Sequence, residues 1–369
     1  DIDFLGMAGK STGARLFVIG EPWLEQAVEK LSSFPFLLGA LNNFVTADLL
    51  HAISGREEDL SHGTFRLPDG RIIHRNLPLK NGFRYPRPLH DRFPLSHYRV
   101  PFAPTPFASV LTTYGCPHHC AYCNSGSIGF ATRDLDNILD ELDGLHALGI
   151  RHVFFKDMTF GSARQHAETL LRRMLERRYA FTWHGYARAD AVDQDLLGLM
   201  KRSGCTLLQF GVESADETLL RSVNRDLPTD SIRRAFQLCR RHSIAVGAHF
   251  VLGLPGDSQE GIRRTIDLAR ALEPDYASFN IAVPRARAPL AESSRSADPS
   301  AADSSTGAGA FESPALTREN LQALQKQAYC AFYFNRSYLR KAIPLFRRTG
   351  IRPLLASAGH LLRAYGFSS

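Results

Sequence analysis

The chain has 369 residues, 44% hydrophobic and 22% charged, with a net charge of +7, which suits one large core or a core plus a smaller domain. It holds no run of about eighteen apolar residues, which excludes a membrane-spanning helix, and its first residues do not read as a secretory signal. Six cysteines, three of them crowded into one loop, exclude a disulfide framework and fit a reducing, cytoplasmic setting.

Residues 1–84 read as a small N-terminal α/β segment. Arg15–Pro22 predicts a strand and turn leading into a helix over Trp23–Leu31, and Gly63–Ile73 predicts a hairpin turning at Asp69-Gly70. The chain opens at Asp1 rather than Met, so residues are expected upstream. Residues 85–106, rich in Pro and Arg, predict an extended connector along the surface.

Across residues 107–284, strand-like apolar runs alternate with amphipathic helical stretches, the pattern of repeated β/α units on a parallel sheet. Strands are predicted at Ser109–Thr112, His152–Phe155, Phe181–Tyr186, Thr206–Gly211, Ala245–Leu252 and Tyr276–Ala282. Helices are predicted at Leu135–Leu148, Ala163–Arg178, Gln194–Arg202, Asp230–His242 and Gln259–Leu272. A full eight-unit barrel needs ~250 residues, so this segment fits an open barrel of about six units, with reactive groups at the C-terminal strand ends. Between Ser293 and Ala310 the chain turns to Ser, Ala, Gly and Asp without apolar periodicity, which predicts a flexible linker over residues 285–316. Residues 317–369 predict helices that open near Thr317, with Glu319 in the first turn, and are broken by Pro344, Gly350 and Pro353. The expected fold class is α/β: a partial (β/α)6 TIM-like barrel with a small N-terminal α/β remnant and C-terminal helices.

The loop Gly115–Cys123, at the end of the first barrel strand, carries the main candidate site. Cys116, Cys120 and Cys123 stand at C-x3-C-x2-C spacing. Cubane [4Fe-4S] clusters are usually held by four thiolates, so three leave one iron open to a substrate-like ligand. A zinc site completed by His118 or His119 is the competing metal. Structural zinc draws ligands from two separated pairs, and no second pair of suitable spacing follows. His118 and His119 then read as exposed loop residues, and Cys205, Cys239 and Cys330 as small buried hydrophobes.

This spacing, Tyr122 directly before the last cysteine, and the placement at a strand end resemble the radical SAM superfamily. The resemblance implies a [4Fe-4S] cluster on Cys116, Cys120 and Cys123, and S-adenosylmethionine (SAM) at the open iron beside Tyr122. It implies an electron passed to the sulfonium, a broken C–S bond and a 5′-deoxyadenosyl radical. Later strand ends become a SAM cradle. Gly211-Val212-Glu213-Ser214 matches a stretch that contacts the ribose or the methionine part, so Glu213 and Ser214 are candidates; capping of a helix over Ala215–Arg221 is the other role for Glu213. Gly253 and Leu254, in the turn Gly253-Leu254-Pro255-Gly256, stand where backbone approaches adenine. Asp157, where many members carry Gly-Gly-Glu, is a candidate for the SAM ammonium or a cap for the helix near Ser162. Arg188 is a candidate clamp for the SAM carboxylate, or a partner of Asp190 or Asp193. Tyr122, Tyr186, His184 and His249 either line the cavity or pack as ordinary interior side chains. No residue is assigned as catalytic.

The order of α/β segment, hairpin, Pro-rich connector and cysteine loop resembles the subclass with an N-terminal cobalamin-binding domain, which includes anaerobic magnesium-protoporphyrin ester cyclases and hopanoid-modifying enzymes. Cobalamin is implied as a further cofactor. The Asp-x-His-x-x-Gly motif for its lower ligand does not occur here, and Asp48-Leu49-Leu50-His51 has the wrong spacing. The implied activity is methylation, cyclisation or rearrangement of a small molecule, lipid or isoprenoid in character, with an electron donor such as flavodoxin or ferredoxin.

From Asn320 onward there is no Asp or Glu, while Lys326, Arg336, Arg340, Lys341, Arg347, Arg348, Arg352 and Arg363 make the tail strongly basic. With leucines interleaved it reads as a contact for a membrane surface, a lipid or an acidic partner, or as a basic face packed by those leucines. Nucleic acid is not expected. Two alternatives compete: a tRNA methylthiotransferase-like enzyme, which would carry upstream cysteines and a C-terminal β-barrel, whereas here no Cys precedes Cys116 and the tail reads helical, and a non-enzymatic iron–sulfur or zinc module.

Overall fold

The computed structural model describes residues 16–20, 36–40, 63–66, 72–75, 80–98, 104–285, 288–293, 303–338 and 340. The chain divides into two units, Asp1–Lys80 and Asn81–Ser369. In the first, β1 (Leu16–Gly20) runs parallel to β2 (Phe36–Ala40), and β2 pairs antiparallel with β3 (Gly63–Arg66). The expected hairpin joins β3 to β4 (Ile72–Arg75), with Arg66 opposite Ile72. β2 is not anticipated from sequence, because a short continuous apolar run fits strand and helix alike. The helix expected at Trp23–Leu31, the turn at Asp69-Gly70 and the Asp48–His51 stretch lie outside the described residues.

The second unit opens on the connector, largely exposed but anchored at Tyr85, which is buried. Tyr85 exchanges two hydrogen bonds with Asn137, through its N–H (3.2 Å) and its carbonyl (3.1 Å). Arg133 stacks over its ring at 3.7 Å and reaches Glu141 at 2.5 Å, so a buried ion pair fastens the connector to the barrel's first helix.

The barrel strands are β5 (Phe107–Val110), β8 (His152–Phe155), β9 (Thr182–Ala187), β10 (Cys205–Glu213), β11 (Ala245–Leu252) and β12 (Tyr276–Ile281). They pair in that order, all parallel, as one six-stranded sheet. Helices α1 (Leu135–Ala147), α2 (Arg164–Glu176), α3 (Gln194–Arg202), α4 (Glu217–Ser222), α5 (Thr229–Arg241) and α6 (Gln259–Leu272) alternate with the strands. The short antiparallel pair β6 (Thr113–Gly115) and β7 (Phe130–Thr132) brackets the cysteine loop.

Strand residues alternate between two faces, and in a parallel sheet both are covered. On one face Phe155, Trp183, Phe210, Phe250 and Phe279 belong to the main hydrophobic core, fully buried with residues of the helices. Each such side chain contributes about 1.5–3 kcal/mol by leaving water. The opposite face carries Phe154, His184, Tyr186, Gln209 and His249, a more polar set, and it faces the barrel interior.

β12 is an outer strand of this sheet, and its free edge is covered. α8 (Arg318–Tyr333), after α7 (Pro289–Ser293), supplies side-chain partners to its backbone. Phe279 donates its N–H to Tyr329 Oη (3.2 Å) and accepts from Gln325 Nε2 (2.8 Å); Ala277 meets Tyr333 Oη with both groups. An exposed edge that would invite pairing with another strand is thereby satisfied. Thr317 caps α8 as expected, accepting from Asn320 N–H.

Residues 303–316, expected as flexible linker, instead form two turns closed by the bridges Asp303–Ala308 and Ser313–Leu316, with Leu316 buried. Local hydrogen bonds to the Asp303 carboxylate, rather than apolar periodicity, hold the first turn. The basic tail beyond residue 340, with its proposed contact residues, lies outside the described residues. Among the described residues no helix is long and apolar enough to cross a membrane.

Candidate active site

The cysteine loop is shaped from its ends inward. Gly115, at φ +72°, turns the chain so that a Cβ there would lie 1.8 Å from the Gly129 carbonyl oxygen, which accepts from Cys116 N–H at 3.1 Å. Only glycine permits that approach. The loop is then tied to distant elements. Ala121 N–H donates to Val223 O (2.8 Å), Asn224 Nδ2 to His119 O (2.9 Å) and Leu290 N–H to Ala121 O (2.9 Å). Arg225 Nη1 reaches the Cys120 sulfur at 3.8 Å.

Cys116, Cys120 and Cys123 line one side of a cavity of about 240 Å³ at the C-terminal end of the barrel. Its inner wall is Tyr186, Gln209 and His249; Arg188, Glu213 and Arg225 stand beside the thiols, with Tyr122, Met158 and Thr159 among the rest of the lining, and His118, expected as an exposed loop residue, is half-buried and lines the cavity as well. Burial pushes the Cys116 thiol up, and the neighbouring Cys123 and Cys120 add to the push. Holding all three as thiolates therefore calls for a strong positive charge among them, which a metal centre supplies. Among the described residues no group of three or more His, Cys, Asp or Glu side chains is drawn together around a metal position. A cubane gives each thiolate its own iron, and three thiols lining one cavity, on one short loop, fit that group.

Glu213 ends β10 in the left-handed region, φ +67°, a conformation that costs a non-glycine residue on the order of 1–3 kcal/mol. Burial pushes its carboxyl up, against the pull of Arg225, the Tyr122 hydroxyl and Arg188. It does not cap the next helix: Asp216 does, accepting from Thr218 N–H (2.9 Å) and Leu219 N–H (3.0 Å). Arg188 also lines the cavity, but its guanidinium fork already holds Asp190, through Nε at 2.9 Å and Nη2 at 2.8 Å.

Five candidates sit outside the cavity lining. Asp157 is fully buried and accepts from Thr112 N–H (2.7 Å), Thr113 N–H (3.1 Å) and Thr112 Oγ1, so it pins the start of β6 rather than facing a ligand. Ser214 Oγ accepts from Asp216 N–H (3.1 Å) and lies 3.3 Å from Thr265 Oγ1. Gly253 donates to Asp257 (3.0 Å) and packs under Leu321 of α8, where a Cβ would come within 2.6 Å. Leu254 is buried with Leu219, Val223 and Ala282. His184 is buried on the interior face, bonded to His152 at 2.7 Å and stacked on Phe154.

Gln209 and Arg225 are among the lining residues that sequence reasoning passed over. Tyr186, Gln209, Gly247 and Tyr276 share one register row across β9 to β12. A Cβ on Gly247 would strike the Tyr276 ring at 2.5 Å; its absence lets that ring cross the row and bond Gln209 Oε1. His249 Nε2 stands 3.0 Å from the same oxygen, while its Nδ1 meets Ser278 Oγ at 2.6 Å. Burial holds His249 neutral, its pKa lowered to about 4. Nothing in the spacing of Arg225 marks it, since its partner Cys120 is 105 residues away.

The comparisons with known proteins agree with this geometry. Residues 110–269 match the family described as the radical SAM superfamily. The chain is 28% identical to an uncharacterized methyltransferase of Pyrococcus horikoshii, over 64% of this chain and 53% of that protein. It is 25% identical to the anaerobic magnesium-protoporphyrin IX monomethyl ester cyclase of Rubrivivax gelatinosus, over 46% of this chain and 32% of that one. It thus spans a third to a half of these relatives' length. Among solved structures it resembles the radical SAM methyltransferase TsrM of Kitasatospora setae with tryptophan and a SAM analogue bound, at TM-score 0.64 and 17% identity, covering 79% of this chain and 59% of that chain. The cobalamin-dependent SAM radical enzyme OxsB with aqua-cobalamin bound aligns at TM-score 0.58 and 16% identity, over 73% of this chain and 41% of that chain. These two likenesses concern the fold. The matched segment runs from the first barrel strand into α6 and carries the three-thiol loop at the strand end, so it is this barrel segment that is similar to the radical SAM superfamily.

Proposed function

We propose that this protein is a radical SAM enzyme that performs methylation or a related radical transformation on a small molecule. The observation that carries the reading is the shared cavity: the three thiols, Glu213 and the interior wall of Tyr186, Gln209 and His249 open on the same space. When bound, the cluster supplies an electron that breaks a C–S bond of SAM and starts radical chemistry. Cys116, Cys120 and Cys123 would hold it, positioned by the Gly115 turn and the Val223–Asn224 ties. Glu213, freed from capping, offers a carboxylate to a hydroxyl or ammonium of SAM. Tyr186 presents a ring and a hydroxyl toward the substrate space, beside the polar groups of Gln209 and His249, which supports a substrate with a flat body and hydrogen-bonding groups.

Methyl transfer and ring formation are the outcomes supported by the names of the relatives. Cobalamin as a second cofactor is supported by the fold likeness to OxsB and by the four-stranded N-terminal sheet. A reducing cytoplasm, an electron donor such as flavodoxin or ferredoxin, and a peripheral membrane contact through the basic tail complete the proposal.

The test is anaerobic reconstitution with iron and sulfide, followed by dithionite and SAM. The expected result is a [4Fe-4S] chromophore and release of 5′-deoxyadenosine, both lost in Cys120→Ala. Binding of zinc alone, or a cluster that never cleaves SAM, overturns the proposal. Hydroxocobalamin added to the same sample and carried through gel filtration reports on the second cofactor, and anionic liposomes report on the tail.

A further inference from the structure

Arg225 stands between the cluster loop and the cradle. It is buried, 6% exposed, in the loop between α4 and α5, directly after Asn224, whose backbone takes φ +57° and whose amide holds His119 O. Its Nη1 lies 3.8 Å from the Cys120 sulfur, its Nη2 donates to Gly211 O, and Nη2 is 3.5 Å from Glu213 Oε1. Its Nε is buried with no partner among the described residues. A buried guanidinium with an unspent N–H beside a cluster thiol is costly unless something negative faces it. Glu213 offsets part of that charge at a contact longer than a hydrogen bond, Gly211 O takes one N–H of Nη2, and Nη1 is left to the sulfur.

We propose that Arg225 is a positioning residue for the cluster: it donates a charge-assisted hydrogen bond to the Cys120 sulfur and thereby makes the cluster easier to reduce. The inference rests on the cluster reading above. Reduction adds one electron to the cluster and its thiolates and breaks no bond, so the negative charge on the sulfurs grows. A cationic N–H donor at sulfur favours that reduced state, and hydrogen bonds to sulfur are among the factors that set such potentials. Glu213 pulls the other way, because its carboxylate competes for the same guanidinium. Removing Arg225 and neutralising Glu213 must therefore move the potential in opposite directions, which a merely structural role for either residue would not do.

The experiment is a redox titration of the anaerobically reconstituted full chain, without SAM, with dithionite as reductant, followed by electron paramagnetic resonance. Arg225→Met should make reduction about tenfold less favourable, a shift of about 59 mV to more negative potential for one electron. Arg225→Lys, which keeps the charge but loses the fork, should shift the same way by less. Glu213→Gln should shift to more positive potential. An Arg225→Met protein with wild-type iron content and an unchanged midpoint overturns the inference. Should both Arg225 variants fail to hold a cluster, Glu213→Gln decides alone, and an unchanged or more negative midpoint overturns it. A wild-type chain that forms no cluster removes the underlying functional reading instead, so the two failures are distinguishable.

Discussion

Asp157 separates a ligand contact from a structural pin, and its two roles predict opposite results. Its carboxylate is fully buried and accepts the N–H groups of Thr112 and Thr113, themselves 2% and 3% exposed, and the Thr112 hydroxyl. Asp157→Ala strands two buried backbone donors at about 1–3 kcal/mol each, so a loss near 4 kcal/mol is expected. Asp157→Asn keeps one acceptor oxygen for both N–H groups, and the Thr112 hydroxyl can turn to accept from the new amide. Its expected cost is about 1 kcal/mol. Urea unfolding of the metal-free protein measures both. SAM affinity of the reconstituted protein should change less than about twofold, or ~0.4 kcal/mol, in Asp157→Asn. An Asp157→Ala protein as stable as wild type, or an Asp157→Asn protein of normal stability that binds SAM tenfold more weakly, would refute the reasoning.

Three further outcomes are expected. Gly115→Ala forces a Cβ into the Gly129 carbonyl and a left-handed backbone that costs about 1–2 kcal/mol by itself; iron bound per chain after reconstitution should fall sharply, and wild-type loading would contradict this. Glu141→Ala leaves Arg133 as an unpaired buried cation and should destabilise by about 3–5 kcal/mol in urea, whereas replacing both by Met should recover most of the loss; equal losses in the two proteins would show the pair is not the cause. Burial lowers His152 and His184 each to about 4, so on acidification the unfolded chain takes up protons below pH ~6.5 while the folded pair stays neutral. Stability should therefore decline as pH falls from ~6.5 to about 4, by up to ~1.4 kcal/mol per pH unit per histidine, and His184→Gln should flatten the slope; a pH-independent stability over that range contradicts the buried pair.

The barrel was legible in the sequence because its units are local. Six predicted strands and five predicted helices recur within a few residues of their expected bounds, since a period of two or of 3.6 with its flanking caps is set by near neighbours. The turns at 303–316 escaped the same approach because their stability comes from side chain to backbone bonds at Asp303 and from burial of Leu316, neither of which leaves a period. Gly253 and Leu254 show a subtler limit. Their position at a strand end was legible, but the packing of Leu321 over Gly253 depends on α8 returning to cover the edge of the sheet.

Within the site the division is similar. The spacing of Cys116, Cys120 and Cys123 needs only a short loop, so sequence alone marked out that loop and, with the strand pattern, the barrel end that carries it. Tertiary structure decided which other side chains share that space. Strand register put Gln209 and His249 on the interior face, the Gly247 gap let Tyr276 orient them, and the loop after α4 carried Arg225 to a sulfur 105 residues away. It also turned Asp157 toward the Thr112 backbone and left Glu213 to the cavity. Periodicity and spacing report on neighbours along the chain, whereas these contacts exist only once the sheet has curled and its strand ends converge.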